Sequence, residues 1–458
     1  MASYTLVGPV RQLLPLADLP PRGAIADEQL TLIEEAGLLL VNDRIEAVGP
    51  YQKLLDRYGN SSLTRWRPEG DAVLLPGFID CHTHICFAGS RARDFALRNA
   101  GSSYLEIAKA GGGIWDTVQA TRATSEVHLT ELTRERALRH LRAGVTTIEV
   151  KSGYGLSLEA ELKQLRAIKH ARSADGPDLI ATCLAAHVKP RDFTGTHEQY
   201  LERLLEFVLP QVGAQRRSSK VGMGAQRRSS TFGIKTSSGG FDPREVPGAR
   251  TRDVTEGLAQ RVDIFIEEEA FTPGLSQAYL LQAKAMGFEL TVHADQFHPG
   301  GSQVAVAVGA LSADHLEAST DQEVALLAKS NTVAVALPGA SLGLGVAFTP
   351  ARRLLDAGAV LAIATDWNPG SGPMGDLITQ ASILATYEKL STAEVLAGIT
   401  YRAAAALGLT DRGRLLPGQL ADFCLFPTND YREILYQQGQ LRPSAVWRNG
   451  RCLHQIAP

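Results

Sequence analysis

His82 and His84 stand one residue apart in PGFIDCHTHICF (76–87). On an extended strand, residues i and i+2 face the same side. Both imidazoles can therefore aim at one point, either as two metal ligands or as two polar groups that happen to end a strand. Further along, short apolar runs end on Lys151 and Tyr154, His187, Glu267 to Glu269, His293, His315 and Asp366. Neutral imidazoles with a carboxylate, and no thiolate, are the donor set of a catalytic metal site. His82 and His84 supply half of it; His293 and Asp366 complete it and leave one position for water. A metal there brings the pKa of water toward ~7. Asp366 is also placed to accept a proton, and His315 to act as acid, base or oxyanion stabiliser. A single histidine at a strand end is usually just a satisfied polar side chain. Five of the chain's eleven histidines at such ends are hard to explain by packing, because their desolvation costs add.

The elements that must position these residues alternate. Apolar runs occupy 74–82, 145–153, 178–187, 262–269, 288–295, 311–316, 331–339 and 359–367, and helical patterns such as SLEAELKQLRAIKHAR separate most of them. Near-continuous apolar strands alternating with helices indicate a parallel sheet covered on both faces. Eight such units indicate an α/β (β/α)8 barrel, whose functional residues gather where strands end and βα-loops begin. LLLVNDRIEAVGP near the start, and ADFCLFP and SAVWRNGRCL near the end, are further strands with too little apolar content for cores of their own. Pairing with one another into a small β-sandwich domain is the economical solution. The expected organisation is residues 1–73 in the small domain, 74–400 in the barrel, and 401–458 as a helix and the remainder of the small domain. Residues 213–252 are rich in Gly, Ser, Arg and Pro, carry GAQRRSS twice, and are expected to be a disordered insertion between the third and fourth barrel strands.

Bulk properties narrow the function. A net charge of −3 from 46 basic and 49 acidic residues gives no footprint for nucleic acid. No apolar run approaches the ~18 residues that would span a bilayer. The start, MASYTLVGPV, has no basic segment followed by a continuous apolar one, so it does not read as a signal peptide. Five scattered cysteines without a C-x-x-C fit a reducing, cytoplasmic setting; Cys81 and Cys86, which frame the histidine pair, read as strand packing.

With these residues in view the chain resembles the amidohydrolase superfamily, which shares PG-[FL]-[IV]-D-x-H-x-H on strand one, histidines on strands five and six, and aspartate on strand eight. Within it, HTHICFAGSRARDF, AGGGIWDTVQATRATSE, EVKSGYGL, VHADQFHPGG, SADHLE, LPGAS and ATDWNPGSGP resemble the imidazolonepropionase family over nearly the whole chain outside 213–252. The resemblance implies hydrolytic opening of 4-imidazolone-5-propanoate to N-formimidoyl-L-glutamate in histidine degradation. It implies one zinc or iron per subunit on His82, His84, His293 and Asp366, with His315 beside the metal. It also implies substrate contacts from Arg91, Tyr154, His187, Gln296, Asn368, Gly370 and Ser371, and a homodimer. A propionate substrate suits an arginine, although Arg93 is as close to the loop as Arg91. Gln296 replaces a glutamate found in some relatives, so proton transfer falls to Asp366 and His315. Lys151 ends strand two and not strand four, where a metal-bridging carboxylated lysine usually sits; a mononuclear site and a structural Lys151 are expected. The AGGGI triplet has no preceding strand and no following G-K-S/T, so it is read as a loop over the pocket and not a phosphate cradle. Two other readings stay open: deamination of a nucleobase-like heterocycle, against which Gln296 speaks, and a non-catalytic scaffold, against which the full ligand set speaks.

Overall fold

Ten residues from Tyr4 to Leu13 form the first strand, β1, of a computed structural model that describes residues 4–59, 62–102, 106, 111–213 and 257–456. Apart from Gly213, the 213–252 insertion lies outside the described residues. The other strands of the small domain are β2 (Ile33–Val41), β3 (Arg44–Pro50), β4 (Leu63–Trp66) and β5 (Val73–Pro76). The barrel strands are β6 (Phe78–Asp80), β7 (Val145–Lys151), β8 (Asp178–Ala186), β9 (Arg261–Ile264), β10 (Glu289–Ala294), β11 (Ser312–His315), β12 (Val333–Ala336) and β13 (Leu361–Ile363). The last three, β14 (Phe423–Phe426), β15 (Ala445–Arg448) and β16 (Arg451–Gln455), return to the small domain.

The eight expected barrel strands pair in chain order, β6 to β13, all parallel. Their burial explains the apolar runs: every residue of β7, β9, β11 and β12 is buried, as a sheet covered on both faces requires. The ring closes where the first and last strands end. A parallel bridge joins Thr83 to Trp367, and the Asp366 N–H donates to the His82 carbonyl at 3.0 Å. Closure thus brings the H-x-H pair directly against Asp366. Register does the same for the other side, setting His293 opposite Asp314 and Ala294 opposite His315.

Two expectations need correction. The run 74–82 is two strands: β5 pairs with β14 and β1 in the small sheet, and only after Gly77 does the chain enter the barrel as β6. The Thr146 side chain lies 2.4 Å from where a Cβ on Gly77 would stand, so a glycine is needed at this crossing. The fourth barrel strand stops at Ile264, so Glu267 to Glu269 lie in the loop beyond it, with Glu268 and Glu269 exposed. The strand's inward acid is Asp263, fully buried.

The small domain forms from both chain ends, with strand order β16-β15-β14-β5-β1-β2-β3 and β4 added beside β1. The hairpins at Asn42-Asp43 and Asn449-Gly450 occur where the turn residues point to them. β1 and β4, which the sequence patterns do not single out, lie at its centre and flank. The sheet folds back on itself: Arg44 bridges Leu420, and Trp66 meets Trp447 edge-on at 5.5 Å, while Phe423 stacks on Trp447 at 5.2 Å. The helix Tyr401–Ala406 packs on β6, β12 and β13 and so covers the barrel. No helix among the described residues is long and apolar enough to cross a membrane. Since Trp447 is only 5% exposed and joins both halves of the small core, Trp447→Ala is expected to cost about 3–5 kcal/mol, read as a lower denaturation midpoint.

Candidate active site and metal centre

The Nε2 atoms of His82 and His84 are 3.3 Å apart, and those of His84 and His293 are also 3.3 Å apart. Asp366 Oδ1 lies 3.5 Å from His82 Nε2 and 3.3 Å from His84 Nε2. Ligand bonds of about 2.0–2.1 Å in a tetrahedron place donor atoms roughly 3.3–3.4 Å from one another. The donor atoms of His82, His84 and His293 all lie within 4.8 Å of one another, as three ligands of one ion would, and Asp366 Oδ1 approaches that group from the side of His82 and His84. Burial holds His82 and His84 well below the ordinary imidazole range and brings His293 down to about 3, so all three present neutral nitrogens.

Three of the four candidate ligands, His82, His293 and Asp366, are held from behind. His82 Nδ1 meets Asp314 Oδ2 at 2.7 Å, and His293 Nδ1 meets Asp263 Oδ2 at 2.9 Å. A carboxylate on Nδ1 fixes the ring and leaves the Nε2 lone pair facing the centre. Asn368 Nδ2 donates to Asp366 Oδ2 at 2.8 Å, which leaves Oδ1 turned toward the histidines. Asp80 accepts from the Thr365 N–H and hydroxyl at 3.0 and 2.6 Å, anchoring the residue before Asp366. Asp80 and Asp314 fall inside the PGFIDCHTH and SADHLE motifs without a role being read for them, whereas Asp263 is an isolated acid inside an apolar run, where the inward side of its strand is the only signal. Lys151 is buried below the histidines among acids, consistent with the structural role expected for it.

His315 differs from the other mouth histidines. Burial pulls its pKa down, but Glu317, 3.5 Å from Nδ1, more than offsets this and raises it. Glu317 is itself held by the Ser341 hydroxyl at 3.0 Å. Burial brings His187, stacked on His84 at 5.5 Å, down to about 4. Burial also lifts Asp366 to about 6, against the pull of His315. Neutral imidazoles, a carboxylate lifted to about 6 and a histidine whose pKa is raised by a neighbouring glutamate are the kinds of group that metal binding and proton transfer call for. Asp295, His315, Leu316 and Asp366 all have positive φ, between 47° and 87°; such strained backbone concentrates where side chains must be aimed.

These groups floor a cavity of about 610 Å³, and every substrate residue expected from sequence lines it: Arg91, Tyr154, His187, Gln296, Asn368, Gly370 and Ser371. Arg91 gives its Nε to Asp94 at 2.5 Å, keeping its other N–H groups free of that carboxylate. Its Nη1 comes within 3.0 Å of where a Cβ on Gly370 would stand, so Gly370 makes room for the guanidinium. Arg98, absent from the sequence reading, also lines the cavity and reaches the Gly370 carbonyl at 3.4 Å. Tyr154 is buried on a loop that Glu161 holds through the N–H groups of Gly153, Gly155 and Leu156, at 2.7–3.2 Å. Asn368 spends its Oδ1 on the Gly370 and Ser371 N–H groups at 2.7 and 2.8 Å, closing the turn that shapes the pocket wall. The glycines of AGGGI lead into the helix Ile114–Ala123, and Gly113 N–H donates to Asp94.

The amidohydrolase family model matches residues 273–453. An imidazolonepropionase of Bdellovibrio bacteriovorus is 37% identical over 430 residues, covering 93% of this chain and 90% of that protein. One of Deinococcus radiodurans is 36% identical over 449 residues, covering 98% and 99%. Among solved structures, an adenosine deaminase from Xanthomonas campestris with bound zinc superposes with a TM-score of 0.64 over 98% of this chain and 92% of that one, at 19% identity; this is likeness of fold.

A Cβ on Gly343 would stand 1.6 Å from the Ser371 carbonyl oxygen. Gly343→Ala must therefore push the Asn368–Ser371 turn outward. Catalytic efficiency is expected to fall by about 10–100-fold, since displacements near 1 Å have that cost. Metal content should fall less than activity, because the turn holds Asp366 alone of the four candidate ligands.

Proposed function

Because the chain belongs to the imidazolonepropionases of the amidohydrolase superfamily, we propose that it opens the ring of 4-imidazolone-5-propanoate with water, yielding N-formimidoyl-L-glutamate. The observation that carries this reading is the convergence of three neutral imidazoles and Asp366, with His84, His293 and Asp366 lining a cavity that Arg91 and Arg98 also line. His82, His84, His293 and Asp366 would hold a single ion; imidazole with carboxylate suits zinc or iron. When bound, the ion supplies Lewis acidity, which brings the pKa of water toward ~7 and draws electron density from a carbonyl.

The remaining work belongs to the chain's own residues. Arg91, with Arg98 beside it, takes the propionate; a guanidinium matches carboxylate geometry in a way an ammonium does not. Asp366 accepts a proton as the water oxygen bonds to the ring carbonyl carbon. His315, its charged form favoured by Glu317, donates toward the oxygen that becomes negative. The ring C–N bond then breaks, and Asp366 returns its proton to the departing nitrogen. Gln296 bonds to substrate and exchanges no proton, which weighs against a deaminase that needs a carboxylate there. Balanced charge and five free cysteines, four of them buried, support a cytoplasmic enzyme acting on a small carboxylate.

The test is the loss of imidazolone propionate absorbance with purified, metal-analysed protein. The expected result is turnover to N-formimidoyl-L-glutamate. Arg91→Met should lower kcat/KM by about 10–100-fold, mainly through KM, as for a lost charge-assisted hydrogen bond of ~1.5–3 kcal/mol. Metal-loaded protein that leaves the imidazolone intact would refute the proposal, and ammonia release from a nucleobase would favour the deaminase.

A further inference from the structure

Lys151 is fully buried inside the barrel, a costly place for an ammonium unless its three N–H groups are all engaged. Its Nζ lies 2.8 Å from Glu149 Oε1, 2.9 Å from Asp263 Oδ2 and 3.6 Å from Asp314 Oδ2, with the Thr291 hydroxyl at 3.4 Å. Burial alone would lower its pKa, but Asp263, Glu149 and Asp314 together raise it, so it remains a cation. The oxygens it meets on the two aspartates are the same ones that meet the histidines: Asp263 Oδ2 faces His293 Nδ1, and Asp314 Oδ2 faces His82 Nδ1.

We infer that Lys151 is a positioning residue for the metal centre, whose ammonium holds Asp263 and Asp314 where they fix the orientation and tautomer of His293 and His82. One cation on β7 thereby joins two ligand-supporting acids on β9 and β11. The third imidazole serves as an internal comparison: among the described residues His82 and His293 have a carboxylate at Nδ1, whereas His84 meets a carboxylate only at Nε2. The same geometry argues against carboxylation of Lys151 to bridge a second metal. A carbamate would replace the cation with a negative charge against three carboxylate side chains and would keep only one of the three N–H groups. The inference rests on the metal reading proposed above.

The experiment compares zinc affinity of the full-length protein, by competition with a chelator, in wild type, Lys151→Met and Lys151→Met/Glu149→Gln. The double variant removes the cation together with one of its acids, so the barrel keeps its net charge and its fold is spared a third unpaired anion. Both variants are expected to bind zinc about 10–100-fold more weakly, the usual cost of losing a partner behind a metal ligand. Nitrogen-15 histidine spectra of the metal-free wild type should show His82 and His293 protonated at Nδ1, a readout that needs no variant to fold. A folded variant with wild-type zinc affinity would overturn the inference, as would Nε2-protonated His82 and His293 in the wild type. Wild-type protein that binds no zinc or iron at all defeats the metal reading itself, which separates the two failures.

Discussion

Three imidazole nitrogens within 4.8 Å of one another, His84 Nε2 only 3.3 Å from each of the other two, repel one another if all turn their lone pairs to the same point, unless a cation stands between them. The rest of the molecule is arranged to sustain that convergence. Barrel closure sets β6 against the residues after β13, which brings His82 and His84 to Asp366. The parallel register of β10 and β11 sets His293 beside Asp314 and a residue away from His315. Behind the ligands, buried carboxylates are neutralised in place by Lys151, so the anionic support does not have to be solvated. Each layer is intelligible only through the one above it: the ion needs lone pairs, the lone pairs need fixed tautomers, and the tautomers need ionised acids.

The proposed ligands stand at strand ends, whereas the groups proposed to meet a substrate stand on loops built over them. Arg91, Tyr154 and the Asn368–Ser371 turn are held by local devices: Asp94 on Arg91, Glu161 under the Tyr154 loop, and Asn368 closing its own turn. Rigid strands suit a metal that tolerates little displacement, and loops let a common barrel address different substrates. Relatives that share the barrel at 19% identity therefore speak for its shape, while the imidazolonepropionases at 36–37% identity speak for its family.

Much of this was legible in the residues. Fully buried strands such as VTTIEVK and VAVA read as apolar runs because both faces are covered, and the hydrogen-bonding residues ending them stand out by contrast. The turn pairs Asn42-Asp43 and Asn449-Gly450 announce their hairpins. The failures have physical causes. LLPGFID is one uninterrupted apolar stretch, yet it crosses between two sheets at Gly77, and nothing in hydropathy distinguishes burial in one core from burial in another. The three glutamates after β9 attract attention by their charge, whereas the acid that meets His293, Asp263, lies inside the strand between Val262 and Ile264. Arg98 escapes because its link to the pocket runs through Gly370, 272 residues away.

The central claim is that His82, His84, His293 and Asp366 hold one metal ion. Anomalous diffraction at the metal edge, from crystals of the protein purified with its native metal, tests it most directly. One peak within coordination distance of the three Nε2 atoms and Asp366 Oδ1, and none near Lys151, is the predicted result. Density for the four side chains without a peak between them, or a second peak bridged by Lys151, would contradict it.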